Sequence, residues 1–322
     1  MAESNVPAPG AAAQPDEVEH APDGQGTDYE MDLRSLSQLE LAWRKFRGHR
    51  LALIGLGLFA VIVVAAIVGP FLLPFTPVPP RPDHIVYTGR PPSLAHPFGE
   101  TGGLQADVLM LVVNGARTSL FLGVTSMLIG VIIGTIVGAV AGYLGGFIDN
   151  LLMRIVDIML SLPLLFVILV VARFFRDAKD NVWSIILVFG LLGWMGVSRL
   201  VRSLFLSIRE REFIEAARAV GVSDRRIIFR HILPNALSPI IVAASLIIAG
   251  NIIGEAFISF LGFGINPSTP TWGNVLSNSL TFILQGNWWW PFFPGFAIIL
   301  TVLAINFIGD GLRDAFDPRS RA

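Results

Sequence analysis

The chain contains an uncharged stretch, residues 51–80, that is long enough to cross a lipid bilayer. A helix needs about 20 apolar residues to span the hydrocarbon core, and residues 51–75 exceed that length. Five further apolar stretches follow, near 118–142, 151–172, 183–204, 237–260 and 292–312. Since 53% of all residues are hydrophobic and 15% are charged, a soluble globular domain is excluded. The sequence therefore predicts an all-α integral membrane protein with six transmembrane helices.

Positive charge is distributed unevenly between the two sets of loops that these spans define. The set that includes both termini holds 17 of the 23 lysines and arginines, and the opposite set holds 6. Eight arginines lie between Arg199 and Arg230, around the connection from the fourth to the fifth span. Because loops rich in Lys and Arg remain in the cytoplasm, we expect both termini and this Arg-rich segment to be cytoplasmic.

The residues before the first span divide into two parts. Residues 1–32 are acidic, contain no Lys or Arg, and have the composition of a disordered cytoplasmic tail. Residues 33–50 carry apolar side chains at helical spacing among charged ones, which predicts an amphipathic helix on the membrane surface or an ordinary polar helix. The apolar positions are Leu33, Leu36, Leu39, Trp43 and Phe46. The further divisions that we predict are 51–116 (first span and external loop), 117–313 (a core of five spans) and 314–322 (a cytoplasmic tail).

No catalytic, cofactor or metal site is predicted from the residues. The chain has no cysteine, and its two lysines, Lys45 and Lys179, do not lie in a phosphate-binding glycine loop. The five histidines show no paired spacing typical of metal ligands. The spans contain no adjacent nucleophile and base, which argues against an intramembrane enzyme.

One polar stripe lies inside the predicted fifth span. Asn251, Glu255 and Ser259 recur at i, i+4 and i+8 and therefore share one helix face. A carboxylate in mid-membrane costs about 2.5–3.5 kcal/mol on insertion scales, so the stripe is expected to face protein or water. It is interpreted either as part of a translocation path or as a hydrogen-bonded contact between helices.

Glycines and tryptophans mark two further features. Four glycines in the second span recur every four residues, and such a column of small residues predicts close helix packing. They are Gly130, Gly134, Gly138 and Gly142. Residues 288–290 are three tryptophans just before the last span, which predicts an aromatic belt at the outer interface.

The Arg-rich connection, residues 207–234, predicts a helix-turn-helix bracket. Phe213, Ala216, Ala217 and Val220 form a narrow apolar face, and the two alanines leave space for a partner to approach closely. Gly221 follows where a left-handed C-cap is expected. We expect a second helix to begin at residue 223 or 224 and to end at residues 233–234. From periodicity alone, the bracket could equally rest on lipid headgroups.

The bracket also carries a family resemblance. Glu215-Ala-Ala, Gly221 and Ile232-Leu-Pro234 resemble the EAA loop of type I ABC importer permeases. Other segments, covering about residues 42–318, resemble the dipeptide/oligopeptide/nickel branch of that family. They include Gly115-Ala-Arg-Thr-Ser-Leu120, Gly142-Tyr-Leu-Gly-Gly-Phe-Ile-Asp149, Ser259-Phe-Leu-Gly-Phe-Gly264 and Gly309-Asp-Gly-Leu-Arg-Asp314. The resemblance implies the type I importer permease fold. It also implies an ATPase-coupling loop made by Glu212, Glu215, Ala216, Ala217, Gly221, Leu233 and Pro234.

The resemblance further implies a non-catalytic subunit in the inner or plasma membrane of a prokaryote. It would form half of a pathway with a homologous second permease, two cytosolic ATPases that use ATP and Mg, and an external binding protein. Short peptides are the implied cargo, with nickel chelates or oligosaccharides as the alternative. A stand-alone secondary transporter or channel is the competing class, but it would be expected to show internal repeats, which this sequence lacks.

One external segment departs from the family pattern. The family usually has His-Pro-Leu-Gly-Thr-Asp-x-x-Gly-Arg-Asp before the second span. Residues 96–107 here read His-Pro-Phe-Gly-Glu-Thr-Gly-Gly-Leu-Gln-Ala-Asp, one residue longer and without the arginine. This difference bears on any substrate inferred by analogy.

Overall fold

The computed structural model describes residues 38–74, 89–102, 106–175 and 181–316. The predicted tail at 1–32, the start of the predicted surface helix, residues 75–88 of the external loop and residues 317–322 lie outside this part of the chain. In the described residues the secondary structure is helical, and the β pairing there consists of an isolated bridge between Glu100 and Asp107. The predicted all-α class is confirmed.

The described residues form twelve α-helices and one π-helix. In chain order they are α1 (Gln38–Gly48), α2 (Arg50–Leu72), α3 (Val108–Leu144), α4 (Gly146–Ser161), α5 (Leu164–Phe175), α6 (Asn181–Leu192), α7 (Trp194–Arg209), α8 (Glu212–Ala219), α9 (Asp224–Arg226), α10 (Leu233–Phe260), α11 (Trp272–Ile283) and α12 (Trp289–Phe316). A π-helix, Ile227–Ile232, joins α9 to α10 without a break.

Five helical segments in the described residues are long and apolar enough to cross a membrane. They are Arg50–Leu72, Val108–Leu144, Val182–Arg209, Asp224–Phe260 and Trp289–Phe316. The bent pair formed by α4 and α5 supplies a sixth crossing if it is counted as one span. The architecture is therefore a polytopic bundle of five or six spans.

The predicted third span, 151–172, differs from a continuous helix. α4 ends at Ser161, and the following helical residues run at 85° to it. Leu162 is extended, with φ −75° and ψ 137°, because a residue before proline is disfavoured in the helical region. Pro163 also lacks the N–H that would continue the helix. The apolar run in the sequence continues through this break, which is why hydropathy did not reveal it.

The second span starts ten residues earlier than predicted. Asp107 is the N-cap of α3, and its Oδ1 accepts a hydrogen bond from the Leu109 N–H at 2.7 Å. The N-cap bond satisfies one of the amide groups that a helix start leaves free. A second unpredicted element is α11, which lies between the predicted fifth span (237–260) and the predicted sixth span (292–312). Thr271 caps it by accepting from the Asn274 N–H at 3.0 Å.

α3 lies at the centre of the bundle and packs against α2, α6, α7, α10 and α11. One buried apolar cluster joins α3 to α11 and α12 and includes Trp272, Trp289 and Trp290. Trp289 donates from Nε1 to the Glu100 carbonyl at 3.1 Å, whereas Trp288 is 56% exposed. The predicted aromatic belt therefore differs from the structure, in which two of the three tryptophans pack inside the protein.

α1 lies against the last turns of α12. Ala42 and Phe46 are buried in a cluster with Ala52 and Ala315, whereas Trp43 is 56% exposed. One side of α1 therefore packs against the protein, and the side that carries Trp43 is exposed. Its predicted place on a membrane surface stays a prediction.

Candidate functional site

The bracket, residues 207–234, has two arms that share an apolar core. The first arm is α8, and the second is α9 with the π-helix. Ile214 of the first arm is fully buried, and it belongs to one cluster with Ile227 and Ile232 of the second arm and Ile208 of α7. This cluster holds α8 against the end of the bundle where α7 ends and α10 begins, which we call the bracket end.

The predicted apolar face of α8 points away from that core. Phe213 is 43% exposed and Val220 is 80% exposed. Ala216 lies exposed and Ala217 half-buried between them. Since alanine has a single methyl side chain, another surface can approach the backbone of α8 here. The predicted coupling residues of α8, namely Glu212, Glu215, Ala216 and Ala217, are exposed or half-buried.

The turn between the two arms is a Schellman motif centred on Gly221. Its φ is +78°, a left-handed conformation that side chains disfavour. The Val222 N–H donates to the Ala217 carbonyl at 3.0 Å, and the Gly221 N–H donates to the Arg218 carbonyl at 2.9 Å. These two bonds define the motif. An ideal Cβ on Gly221 meets no atom within 4 Å, so backbone conformation, not space, requires glycine.

The sequence predicted that the second arm ends at Leu233-Pro234, and this prediction is wrong. Both residues belong to the first turn of α10, and Leu233 is helical with φ −57° and ψ −44°. The preceding π-helix widens the turn just where Pro234 cannot donate to an earlier carbonyl. The second arm and the fifth span are therefore one continuous helical body, Asp224–Phe260.

Tyr143, near the end of α3, touches both arms of the bracket. Its hydroxyl donates to the Asp224 carboxylate at the start of the second arm. The Arg218 guanidinium of the first arm lies 5.6 Å from the ring centroid, within cation–π range. Sequence reasoning missed this residue, although Tyr143 stands inside the Gly142–Asp149 motif that was recognised.

The polar stripe of α10 is buried among helices. Asn251, Glu255 and Ser259 are 8%, 0% and 3% exposed. The Glu255 carboxylate accepts hydrogen bonds from the hydroxyls of Ser259 at 2.8 Å, Thr271 at 2.9 Å and Ser119 at 3.4 Å. The Asn251 amide contacts the Gly123 carbonyl at 3.5 Å. The stripe thus meets α3 on one side and the start of α11 on the other.

Ser119 and Thr271 complete this buried network, and neither residue belongs to the sites predicted from the sequence. The Ser119 hydroxyl also accepts from the Trp272 N–H at 3.2 Å. A buried carboxylate with three hydroxyl donors has its hydrogen-bonding capacity met by protein. This geometry favours the interpretation of Glu255 as a contact between helices.

The glycine column of α3 faces α6 and α7. An ideal Cβ on Gly134 lies 2.6 Å from Cβ of Val197, and one on Gly142 lies 2.7 Å from Cβ of Phe205. Gly138 makes a similarly close approach to α7, whereas an ideal Cβ on Gly130 meets its nearest atoms at 3.4 Å. Three of the four glycines therefore permit a helix contact that a methyl group would prevent.

The described part of the segment that departs from the family pattern, residues 96–102 and 106–107, lies at the start of α3, the end of that helix away from the bracket. The His96 ring lies between two carboxylates, with Nδ1 2.8 Å from Asp107 and Nε2 3.0 Å from Glu100. Since Asp107 caps α3, this contact fastens the segment to the start of the second span. Residues 103–105 of the departure lie outside the described residues.

Two family models match the chain. Residues 108–322 match the binding-protein-dependent transport system inner membrane component. Residues 37–92 match the N-terminal transmembrane domain of oligopeptide transport permease C. The two matches together include all the spans described above.

Individual relatives give the same result over nearly the full chain. The dipeptide transport system permease protein DppC of Bacillus subtilis is 38% identical over 98% of this chain and 99% of its own length. The oligopeptide transport system permease protein OppC of Haemophilus influenzae is 37% identical over 91% of this chain and 92% of its own. A solved structure of the MetNI methionine ABC transporter in an inward-facing conformation has 23% identity and a TM-score of 0.49, covering 64% of this chain and 96% of that chain.

Proposed function

This chain belongs to the family of binding-protein-dependent transport inner membrane components, in the peptide branch of type I ABC importer permeases, and on that basis we propose that it forms half of a translocation pathway for short peptides. A homologous second permease subunit would supply the other half. Two cytosolic ATPases would hydrolyse ATP with Mg, and an external binding protein would deliver the substrate. The chain itself carries out no chemistry in this assignment.

The exposed face of α8 is the observation that carries the proposal. A helix anchored by buried Ile214 presents Phe213, Val220 and two alanines to the outside. Apolar side chains at a protein end that also bears many arginines favour contact with another protein over free exposure. We propose that an ATPase subunit docks on this face and moves the bracket during its cycle.

The continuity of the second arm with α10 supports a mechanical role. Movement of the bracket would be passed directly into the fifth span, because no flexible break separates Asp224 from Phe260. In the same proposal the bracket end faces the cytoplasm, as the distribution of positive charge predicts. Both termini would then be cytoplasmic.

The cargo follows from the relatives, whose names specify dipeptide and oligopeptide transport. No contact among the described residues favours the nickel-chelate or oligosaccharide alternative. Within this proposal, Asn251, Glu255 and Ser259 join the helices that border the pathway and do not touch the peptide. The enclosure of the Glu255 carboxylate by Ser119, Ser259 and Thr271 supports that assignment.

The proposal is tested by purifying the tagged chain from its native membrane in a mild detergent. We expect a second permease and two ATPase subunits to co-purify, and the reconstituted complex with its binding protein to take up labelled di- and tripeptides only when ATP is present. Uptake by the chain alone without ATP, or purification without any ATPase, would contradict the assignment.

A further inference from the structure

Tyr143 links α3 to both arms of the bracket and to α7. It lies at the last turn of α3 and is 6% exposed, although its hydroxyl reaches an exposed carboxylate. Its ring belongs to the apolar cluster that contains Phe205 of α7 and Ile214 of the bracket. One side chain therefore connects the central span, α7 and both arms of the bracket.

Tyr143 makes polar contacts with three separate elements, through its hydroxyl, its ring and its main-chain carbonyl. The hydroxyl donates to Asp224 in the second arm, and the ring faces Arg218 in the first arm. The main-chain carbonyl of Tyr143 accepts from Nη1 of Arg209, the last residue of α7, at 2.8 Å. A hydrogen bond to a charged group is among the stronger single interactions that a side chain makes. The position of each arm is thus fixed relative to α3.

A second contact holds α7 to α4, the helix that follows α3 directly. Arg202 of α7 binds Asp149 of α4 through both carboxylate oxygens, with Nη2 to Oδ2 at 2.6 Å. Gly142, next to Tyr143, lets the α3 backbone approach Arg202 and Phe205. At Gly142 the backbones of α3 and α7 are in direct contact. A displacement of Tyr143 therefore cannot be compensated there by side-chain rearrangement alone.

We propose that Tyr143 is a positioning residue that transmits movement of the bracket to α3 and α7, through its contacts with Asp224 and Arg218. The inference rests on the proposed function, since it assumes that an ATPase moves the bracket. It gives the recognised Gly142–Asp149 motif a role: Tyr143 holds the bracket, and Asp149 holds α4 against α7.

The test uses the complete importer, with its ATPases, second permease and binding protein, in proteoliposomes. The variants are Tyr143→Phe, which removes the hydroxyl and retains the ring over which Arg218 lies, Asp224→Ala, which removes the acceptor carboxylate, and the double variant. Ser203→Ala is the matched control, because it removes an exposed hydroxyl in the half of α7 nearer the bracket, and that hydroxyl donates to the Leu200 carbonyl of its own helix. The measured quantity is labelled di- and tripeptide taken up per ATP hydrolysed.

We expect Tyr143→Phe to insert and to retain its ATPases while uptake per ATP falls about three- to tenfold, within the range that coupling residues control. The double variant should fall no further than the single ones, since all three lack the same bond. Ser203→Ala should keep the wild-type ratio. If Tyr143→Phe does not insert, the ratio for Asp224→Ala decides in the same way.

An unchanged ratio of peptide uptake to ATP hydrolysis in Tyr143→Phe overturns the inference. A parallel loss of complex assembly and activity with that ratio preserved also overturns it, because it indicates a purely structural residue. Additive losses in the double variant also overturn it. These outcomes differ from failure of the proposed function, which would appear as absence of ATP-driven uptake by the wild-type importer itself.

Discussion

The Glu255 carboxylate accepts a hydrogen bond from the Thr271 hydroxyl at 2.9 Å, and this bond ties α10 to the residue that caps α11. The same Thr271 oxygen accepts from the Asn274 N–H at 3.0 Å. One hydroxyl thus begins a helix and binds a buried acid. Loss of the Thr271 hydroxyl should therefore affect both features.

Glu255→Gln should be tolerated, and Glu255→Leu should not. Glutamine keeps an acceptor oxygen for Ser259 and Thr271, whereas leucine leaves buried hydroxyls without a partner, at a cost of about 1–3 kcal/mol. The melting temperature of each purified variant in detergent measures the difference. Equal stability of the leucine variant and the wild type would contradict the network. Wild-type transport in Glu255→Gln would support the contact role over a pathway role.

Gly221→Val should uncouple ATP hydrolysis from transport while the chain still inserts. A β-branched residue at φ +78° costs about 1 kcal/mol or more, and distorts the Schellman turn. Gly221→Asn should have a milder effect, because asparagine tolerates this conformation better. Gly57→Val is the control, since that helical glycine also has open space around it. Unchanged transport per ATP in Gly221→Val would remove the coupling role of the turn.

Alanine substitution in the glycine column should reduce stability at Gly138 and leave it nearly unchanged at Gly130. Gly138→Ala should destabilise the chain by about 1–3 kcal/mol through overpacking against Val201. Gly130→Ala should change stability little, because its ideal Cβ meets its neighbours at 3.4 Å, at the edge of ordinary contact. Resistance to unfolding by SDS in mixed micelles compares the two variants. Equal loss at both positions would show that close approach is not what the column provides.

Two aspartate–arginine pairs should contribute unequally to stability. Asp149 and Arg202 are 11% and 34% exposed, and Asp157 and Arg199 are 53% and 51% exposed. Asp149→Asn should cost about 1.5–3 kcal/mol, because the bond is charged and bidentate. Asp157→Asn should cost at most about 1 kcal/mol, as exposed ion pairs do. The same unfolding measurement distinguishes them, and Arg202→Lys should resemble Asp149→Asn since lysine cannot bind both oxygens.

Single cysteines can report orientation and docking, because the natural sequence contains none. We expect a membrane-impermeant maleimide to label Leu94→Cys in intact cells, and Val220→Cys only after permeabilisation. Leu94 and Val220 are 105% and 80% exposed. Bound ATPases should then reduce labelling of Val220→Cys but not of Leu94→Cys. Labelling of both positions from outside would overturn the proposed orientation.

Several local features follow from short windows of sequence. The spans are predictable because a bilayer requires about 20 apolar residues with all backbone groups bonded within the helix. Gly221 was predicted as a left-handed cap from its place after the apolar face of α8, and its φ is +78°. Pro163, in contrast, was overlooked inside an apolar run, although a proline is itself a local signal for the break observed there.

Only the tertiary structure determined which helix each face meets. Ser119 and Glu255 are 136 residues apart in the chain, and Tyr143 and Asp224 are 81 apart. Periodicity places residues on a common face, but it does not identify the neighbour of that face. Hydropathy cannot separate lipid-facing from buried positions either, since lipid tails are as apolar as leucine. The sequence alone therefore determined a membrane permease and predicted a coupling loop, and the packing of α3 against its neighbours determined what Glu255 and Tyr143 hold together.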